Sequence, residues 1–142
     1  MDNRIDRKLF VEIVSEIIST DGDKEQMTLT TEAQYQVKDG KGYLRYEESE
    51  LSGMEGSKML LKHDDGAVNI RRFGTVNSVF VVEIDKDYET FYRTPYGEFL
   101  MNVIGKEVRW NESDKLDIFI SYILLMEGNT ESSLISISIK EL

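Results

Sequence analysis

Apolar and polar residues alternate with a period of two along nearly the whole chain, from Leu9 almost to the C-terminus. In the clearest segment, residues 27–37, the residues Met, Leu, Thr, Ala, Tyr and Val occupy every second position between polar neighbours. Successive side chains of a β-strand point to opposite faces, so this pattern predicts strands with one buried and one solvated face. Because the pattern recurs throughout one short chain, we predict an all-β protein with a single core.

Ten segments carry this alternation, and short turn sequences separate them. The predicted strands are residues 8–19, 27–37, 42–49, 57–63, 67–73, 76–84, 88–94, 98–110, 115–126 and 131–140. Asp65-Gly66, and Pro95 with Gly97, are typical of tight hairpin connections. Short links imply that neighbouring strands are antiparallel, because a parallel pair needs a long crossover.

A sandwich and an up-and-down barrel both fit such a meander. The run of tight hairpins favours the barrel, and closure would also hide the edges of the β-rich segment 118–125 from aggregation. We therefore predict one domain over residues 1–142, a single antiparallel up-and-down β-barrel of about eight to ten strands.

The composition argues against several classes of protein. The net charge of −10, from 17 basic and 27 acidic residues, leaves little with which to build a nucleic-acid surface. No run of about 18 apolar residues is present, so we expect no membrane-spanning helix. The charged N-terminal stretch does not resemble a secretory signal, and the chain has no cysteine for disulfides, thiolate zinc sites or a cysteine nucleophile. A cytoplasmic location is the expectation.

Several local strings occur together in a recognisable order. They are YEESELSGMEG at 46–56, IRRFG at 70–74, VNSVF at 76–80 and YRTPYGEF at 92–99. In these strings the chain resembles the YwiB-like family of small bacterial proteins, a domain of unknown function, and the resemblance extends over roughly residues 4–141. The resemblance implies a calycin barrel, of the lipocalin type, with room for an interior site, and it brings no established activity. The sequence departs from the family pattern at Gly105-Lys106, where a threonine is expected, and in its serine-rich last strand.

No pattern predicts catalysis or metal binding. His63 is the only histidine, and its predicted place beside an exposed hairpin tip offers neither a catalytic partner nor a second ligand. The glutamate-rich stretch 47–55 lacks the regular spacing of oxygen ligands that a calcium loop has. We therefore predict no catalytic residues, no bound metal and no cofactor.

Two charged residues are predicted to point into the barrel. Glu48 shares the apolar face of its strand with Tyr46, and Arg72 shares a face with Val68 and Ile70. An unpaired charge in that interior would cost several kcal/mol, so each needs a partner. Two interpretations stay open: a structural ion pair near the barrel end, and a polar anchor for the carboxylate or hydroxyl of a small ligand.

In the second interpretation, tyrosines surround the anchor. Tyr92 and Tyr96 flank Pro95 and would line the cavity mouth, where ligand sites of barrels often lie. The candidate ligand-binding residues are Tyr46, Glu48, Arg72, Tyr92 and Tyr96.

The sequence leaves two classes of function open. The first is non-enzymatic binding of a small, partly apolar molecule inside the barrel. The alternative is a structural or protein-interaction module with a filled core, and a homodimer is one form that it could take. Apolar residues on nominally outer faces, such as Val79, Val81 and Phe119, support the alternative, because two-faced apolar strands are usually covered by a partner.

Overall fold

The computed structural model describes residues 5–48, 57–74, 76–126 and 132–142. Ten strands account for nearly all of them. They are β1 (Ile5–Ser19), β2 (Lys24–Lys38), β3 (Lys41–Glu47), β4 (Lys58–Asp64), β5 (Ala67–Phe73), β6 (Asn77–Val82), β7 (Asp87–Thr94), β8 (Gly97–Asn111), β9 (Asp117–Met126) and β10 (Ser132–Glu141). The described part of the chain contains no helix, and hence none long and apolar enough to cross a membrane.

The strands form one closed antiparallel barrel in which each strand pairs with its neighbours in sequence. β1 closes the barrel by pairing with β10, in a register that places Val11 opposite Glu141 and Ser19 opposite Ser133. The predicted all-β, up-and-down barrel is confirmed, with ten strands in the wall.

The two ends of the barrel carry different turns. The mouth end carries the β1–β2 and β7–β8 turns, and the closed end carries the β2–β3 and β4–β5 turns.

The predicted turns follow from local backbone chemistry. Between β4 and β5, Asp65 has a φ of 49° and Gly66 a φ of 84°. Two consecutive left-handed residues match the right-handed twist of the flanking strands, and Asp-Gly is one of the sequences that favours this geometry. Asp39 and Gly40 repeat the pattern between β2 and β3, with φ values of 54° and 76°.

The core lies in the closed half of the barrel. It consists of the inward residues of the strands, together with Leu116 from the β8–β9 link: Leu9, Val11, Ile13, Ala33, Tyr35, Leu44, Tyr46, Met59, Leu61, Val68, Ile70, Phe80, Val82, Met101, Val103, Leu116, Ile118, Ile120, Tyr122 and Ile139. Towards the mouth the same inward faces become accessible, since Ile17 and Met27 are exposed. The alternation of the sequence therefore defines a filled half and an open half.

The barrel wall is irregular between β6 and β8. The predicted strand 76–84 ends at Val82, and Ile84 instead forms a parallel bridge with Gly105. A Cβ atom at Gly105 would overlap the main chain of Glu83, so a side chain there is excluded by the close approach of two backbones. β6 and β7 pair at only two positions, Asn77 with Arg93 and Ser78 with Tyr92.

Some sequence predictions lie outside the described residues. These are residues 49–55 of the glutamate-rich stretch, and the link between the predicted strands that end at 126 and begin at 131.

Candidate functional site

A cavity of about 350 Å³ opens at the mouth end of the barrel. Its apolar wall includes Ile17, Met27, Phe80, Met101, Leu124 and Ile135. Its polar residues are Ser15, Glu48, Arg72, Tyr92 and Tyr122. A smaller extension of about 60 Å³ continues from Ser15, Glu48 and Arg72 towards Tyr46 and Met59. The mouth cavity is therefore largely apolar, with a few polar groups set into its wall.

The charged pair predicted from the sequence lies in this wall. Arg72 Nε donates a hydrogen bond to Glu48 Oε1 at 2.7 Å. Glu48 directly follows β3, and its backbone N–H continues the ladder by donating to the Ser57 carbonyl at 2.9 Å. The Glu48 and Arg72 side chains are 10% and 21% exposed, so the pair is largely withdrawn from water but open to the cavity.

Two tyrosine hydroxyls lie close to this pair. Burial raises the pKa of Tyr46, and the nearby Glu48 raises it further while Arg72 opposes the shift. Burial also raises the pKa of Tyr122 to about 12. Both phenols consequently keep their protons at neutral pH. Among the residues that the structure describes, neither hydroxyl has a hydrogen-bond partner.

An aromatic cluster forms another side of the cavity. Phe80 lies between Tyr92, at a centroid distance of 6.4 Å, and Tyr122, at 6.0 Å with the rings 69° apart. Tyr122 and Phe80 were not among the residues predicted for the site. Strict alternation with the buried Ile118 and Ile120 was the signal that could have placed Tyr122 inside.

The predicted site residues fall into two groups. Tyr46, Glu48, Arg72 and Tyr92 line the mouth cavity or its extension. Tyr96 does not join them, because it lies at the tip of the β7–β8 turn with 94% of its surface exposed. There the Tyr96 N–H donates to Thr94 Oγ1 at 3.1 Å, and this tight turn directs the ring into solvent.

The closed end of the barrel contains a polar network that sequence reasoning missed. Trp110 Nε1 donates to the Tyr35 hydroxyl at 3.0 Å, and that hydroxyl in turn donates to Glu112 Oε2. Burial raises the pKa of Tyr35, and its hydrogen bond to Glu112 contributes further. These contacts join strands more than seventy positions apart, so no local pattern could have indicated them.

His63 belongs to this network. Its ring stacks on Trp110, with centroids 5.1 Å apart and planes 9° from parallel. His63 lies beside the β4–β5 hairpin tip as predicted, but the expectation that its ring is exposed is wrong, because the ring is half-buried against the indole. Burial lowers the pKa of His63 below its usual range.

A second charged pair seals the same end. Arg7 donates two hydrogen bonds to Glu141, at 2.7 and 2.9 Å, and the Leu116 backbone N–H also donates to Glu141 at 2.9 Å. The hydrogen bond from Arg7 lowers the pKa of Glu141. Both carboxylate oxygens of this pair are in use, which is typical of a structural ion pair.

Two grooves on the outside of the barrel differ in character from the mouth cavity. One, of about 500 Å³, has mostly outward-facing walls that include Gln34, Arg45 and Lys58. The other, of about 360 Å³, lies along the sparse β6–β7 junction and includes Val79 and Phe91. Neither lies inside the barrel wall, so the mouth cavity is the candidate ligand site.

Comparisons with known proteins agree with the fold. The structure is similar to a crystal structure of the ywiB protein from Bacillus subtilis, with a TM-score of 0.74 and 21% sequence identity. That match covers 96% of this chain and 93% of the other. No curated protein sequence matches the chain. Residues 11–138 match a family described as a domain of unknown function (DUF1934), and the chain belongs to that family.

Proposed function

We propose that this protein binds a small, partly apolar molecule in the mouth cavity and carries out no chemistry on it. The observation that carries the proposal is the cavity of about 350 Å³, with apolar walls and a charged pair on one side. Small-molecule sites typically combine an apolar surface with a few placed polar groups. If the barrel were filled along its whole length, side chains from opposite walls would occupy this space instead.

The proposed site residues are Tyr46, Glu48, Arg72 and Tyr92, as the sequence predicts, with Tyr122 added. Glu48 and Arg72 would orient the polar part of the ligand, and the Phe80–Tyr92 side of the cavity would pack against its apolar part. The high pKa values of Tyr46 and Tyr122 suit hydrogen bonding by neutral phenols rather than proton abstraction.

Native mass spectrometry of freshly purified protein tests this proposal by reporting any retained small molecule. Ligand binding in solution can then be located through ¹³C-labelled methionine methyl groups. We expect the signals of Met27 and Met101, which line the cavity, to shift on binding. Binding that leaves both signals in place would locate the ligand elsewhere on the protein.

Two variants of Ser15 provide a matched test, because Ser15 lines both the cavity and its extension. Ser15→Phe should fill the space and abolish binding, whereas Ser15→Ala should retain it. Circular dichroism establishes that both variants fold. Undiminished binding by a folded Ser15→Phe would contradict the proposed location.

A second candidate function is association with another protein through the outer face. Phe73, Val79 and Phe91 are exposed along the β6–β7 groove, and Phe91 is 52% exposed. Exposed apolar residues grouped in this way are common in interaction surfaces. Size-exclusion chromatography with light scattering tests the homodimer form of this candidate, with Phe91→Ser expected to shift a dimer towards monomer.

A further inference from the structure

Two partly buried charged pairs of the barrel use their hydrogen-bonding capacity differently. At the closed end, Arg7 donates two hydrogen bonds to Glu141, and the Leu116 backbone N–H donates a third to the same carboxylate. In the cavity wall, Arg72 and Glu48 share one, between Nε and Oε1. Within the described part of the chain, the terminal nitrogens of Arg72 and Glu48 Oε2 have no hydrogen-bond partner.

These unused groups are accessible from the cavity. Arg72 and Glu48 both line the cavity. Among the described residues, the polar side-chain atoms that are buried and unpaired belong to Ser57 and Asp117, so the unpaired atoms of Arg72 and Glu48 are reached by solvent. An arginine carries five N–H donors and a carboxylate has two acceptor oxygens, so the pair presents donors and an acceptor to the same space. The hydroxyls of Tyr46 and Tyr122 add neutral groups nearby.

Charge then decides which ligands fit. Glu48 neutralises the charge of Arg72. An entering carboxylate would be attracted by Arg72 and repelled by Glu48, whereas an entering ammonium would be attracted by Glu48 and repelled by Arg72. Either ion would also lose hydration in a largely apolar cavity, which is costly without a net counter-charge. An uncharged group with a donor beside an acceptor can satisfy both residues without that cost.

We infer that the mouth cavity selects uncharged molecules that carry an amide-type group, with a hydrogen-bond donor and acceptor side by side, on a small apolar body. Carboxylates and amines of the same shape bind more weakly. This inference rests on the proposed function and names the class of ligand that the same site takes. Glu48 and Arg72 act together as the element that determines specificity.

Two sets of matched probes test the selectivity at pH 7. The first is hexanamide, hexanoate and hexylamine, and the second is phenylacetamide, phenylacetate and phenethylamine. Titrations followed by the methyl signals of Met27 and Met101 should give dissociation constants at least tenfold lower for each amide than for its acid and amine. Equal or tighter binding of an acid or amine overturns the inference and leaves the proposed function standing. Absence of binding by all six probes contradicts the proposed function itself.

A charge change at Glu48 provides the stronger test. Glu48→Gln keeps the size of the side chain and leaves Arg72 as a net positive charge, so the acids should gain at least tenfold relative to the amides. Glu98→Gln removes the same charge from the exposed Arg93–Glu98 pair, whose atoms are 3.2 Å apart, and should leave the selectivity unchanged. An unchanged preference in a folded Glu48→Gln protein overturns the inference.

Discussion

The imidazole of His63 lies flat against the indole of Trp110, with the planes 9° apart, and this stack covers part of the closed end of the barrel. Trp110 is held in turn by the Tyr35 hydroxyl, which accepts a hydrogen bond from its indole nitrogen. The only histidine and the only tryptophan of the chain therefore lie in contact, and both are spectroscopic probes of the closed end. Several measurable properties depend on this arrangement and on the two charged pairs.

Stability should depend on the protonation of His63. Burial lowers its pKa below 6.5, although Glu112, Asp64 and Asp65 act in the opposite direction. The unfolded chain therefore binds a proton at this residue more readily than the folded protein does, and acid favours unfolding. The contribution of neutral His63 is fully present above about pH 6.5, the unfolded value, and is lost as the pH falls through the lower folded value.

Urea midpoints measured between pH 7.5 and pH 5 test this dependence. We expect the wild-type protein to lose more stability over that interval than His63→Phe, which keeps an aromatic ring against Trp110 but cannot titrate. Parallel pH profiles for the two proteins would show that His63 does not contribute.

Loss of the Tyr35 hydroxyl should destabilise the closed end. Tyr35→Phe removes the acceptor for Trp110 Nε1 and the donor to Glu112. A partly buried group left without its partner costs about 1–3 kcal/mol, and denaturant unfolding followed by tryptophan fluorescence measures the loss. Tyr43→Phe, on the outer face, is the control and should change the free energy of unfolding by less than about 0.5 kcal/mol.

The β4–β5 hairpin should not tolerate a β-branched residue at Gly66. Its φ of 84° strains any residue with a side chain, while the space around a Cβ atom there is open. Gly66→Val should therefore cost about 1–3 kcal/mol through the backbone alone. Ala67→Val, one position further in β5, is the control. Equal thermal stability of Gly66→Val and the wild type would contradict the turn geometry.

Glu48 and Arg72 should be energetically coupled. A double-mutant cycle with Glu48→Gln and Arg72→Met should give a coupling free energy of about 1–3 kcal/mol, because neither side chain is well solvated. The exposed Arg93–Glu98 pair, treated in the same way, should give about 0–1 kcal/mol. A cavity pair whose coupling is no larger than that of the surface pair would show that the hydrogen bond has little energetic weight.

The sequence was sufficient for features that depend on neighbouring residues. Alternation placed Glu48 and Arg72 on inward faces, and Asp65-Gly66 indicated a hairpin because both residues tolerate positive φ. The barrel needed only the additional argument that short links join antiparallel strands. In each case the physical cause lies within a few positions of the residues concerned.

Features that depend on distant contacts were not predictable in this way. Alternation extended β6 to residue 84, but the approach of the Glu83 main chain to Gly105 ends the strand two residues earlier. The half-buried position of His63 in β4 depends on Trp110, which lies in β8 and is distant in sequence. The place of Tyr96 next to Pro95 predicts a residue at the cavity mouth, but the ring points into solvent, because spacing along the chain does not determine the direction of a turn side chain.

The pairing of β1 with β10 has a consequence for how the protein is made. During synthesis β1 emerges early and can form its hairpin with β2, but its second neighbour does not exist until β10 has been translated. Until that moment β1 keeps one row of unpaired backbone groups, which is the kind of edge that recruits other chains. Completion of the barrel is thus the most non-local event in folding, and we expect it to be late and slow relative to the hairpins.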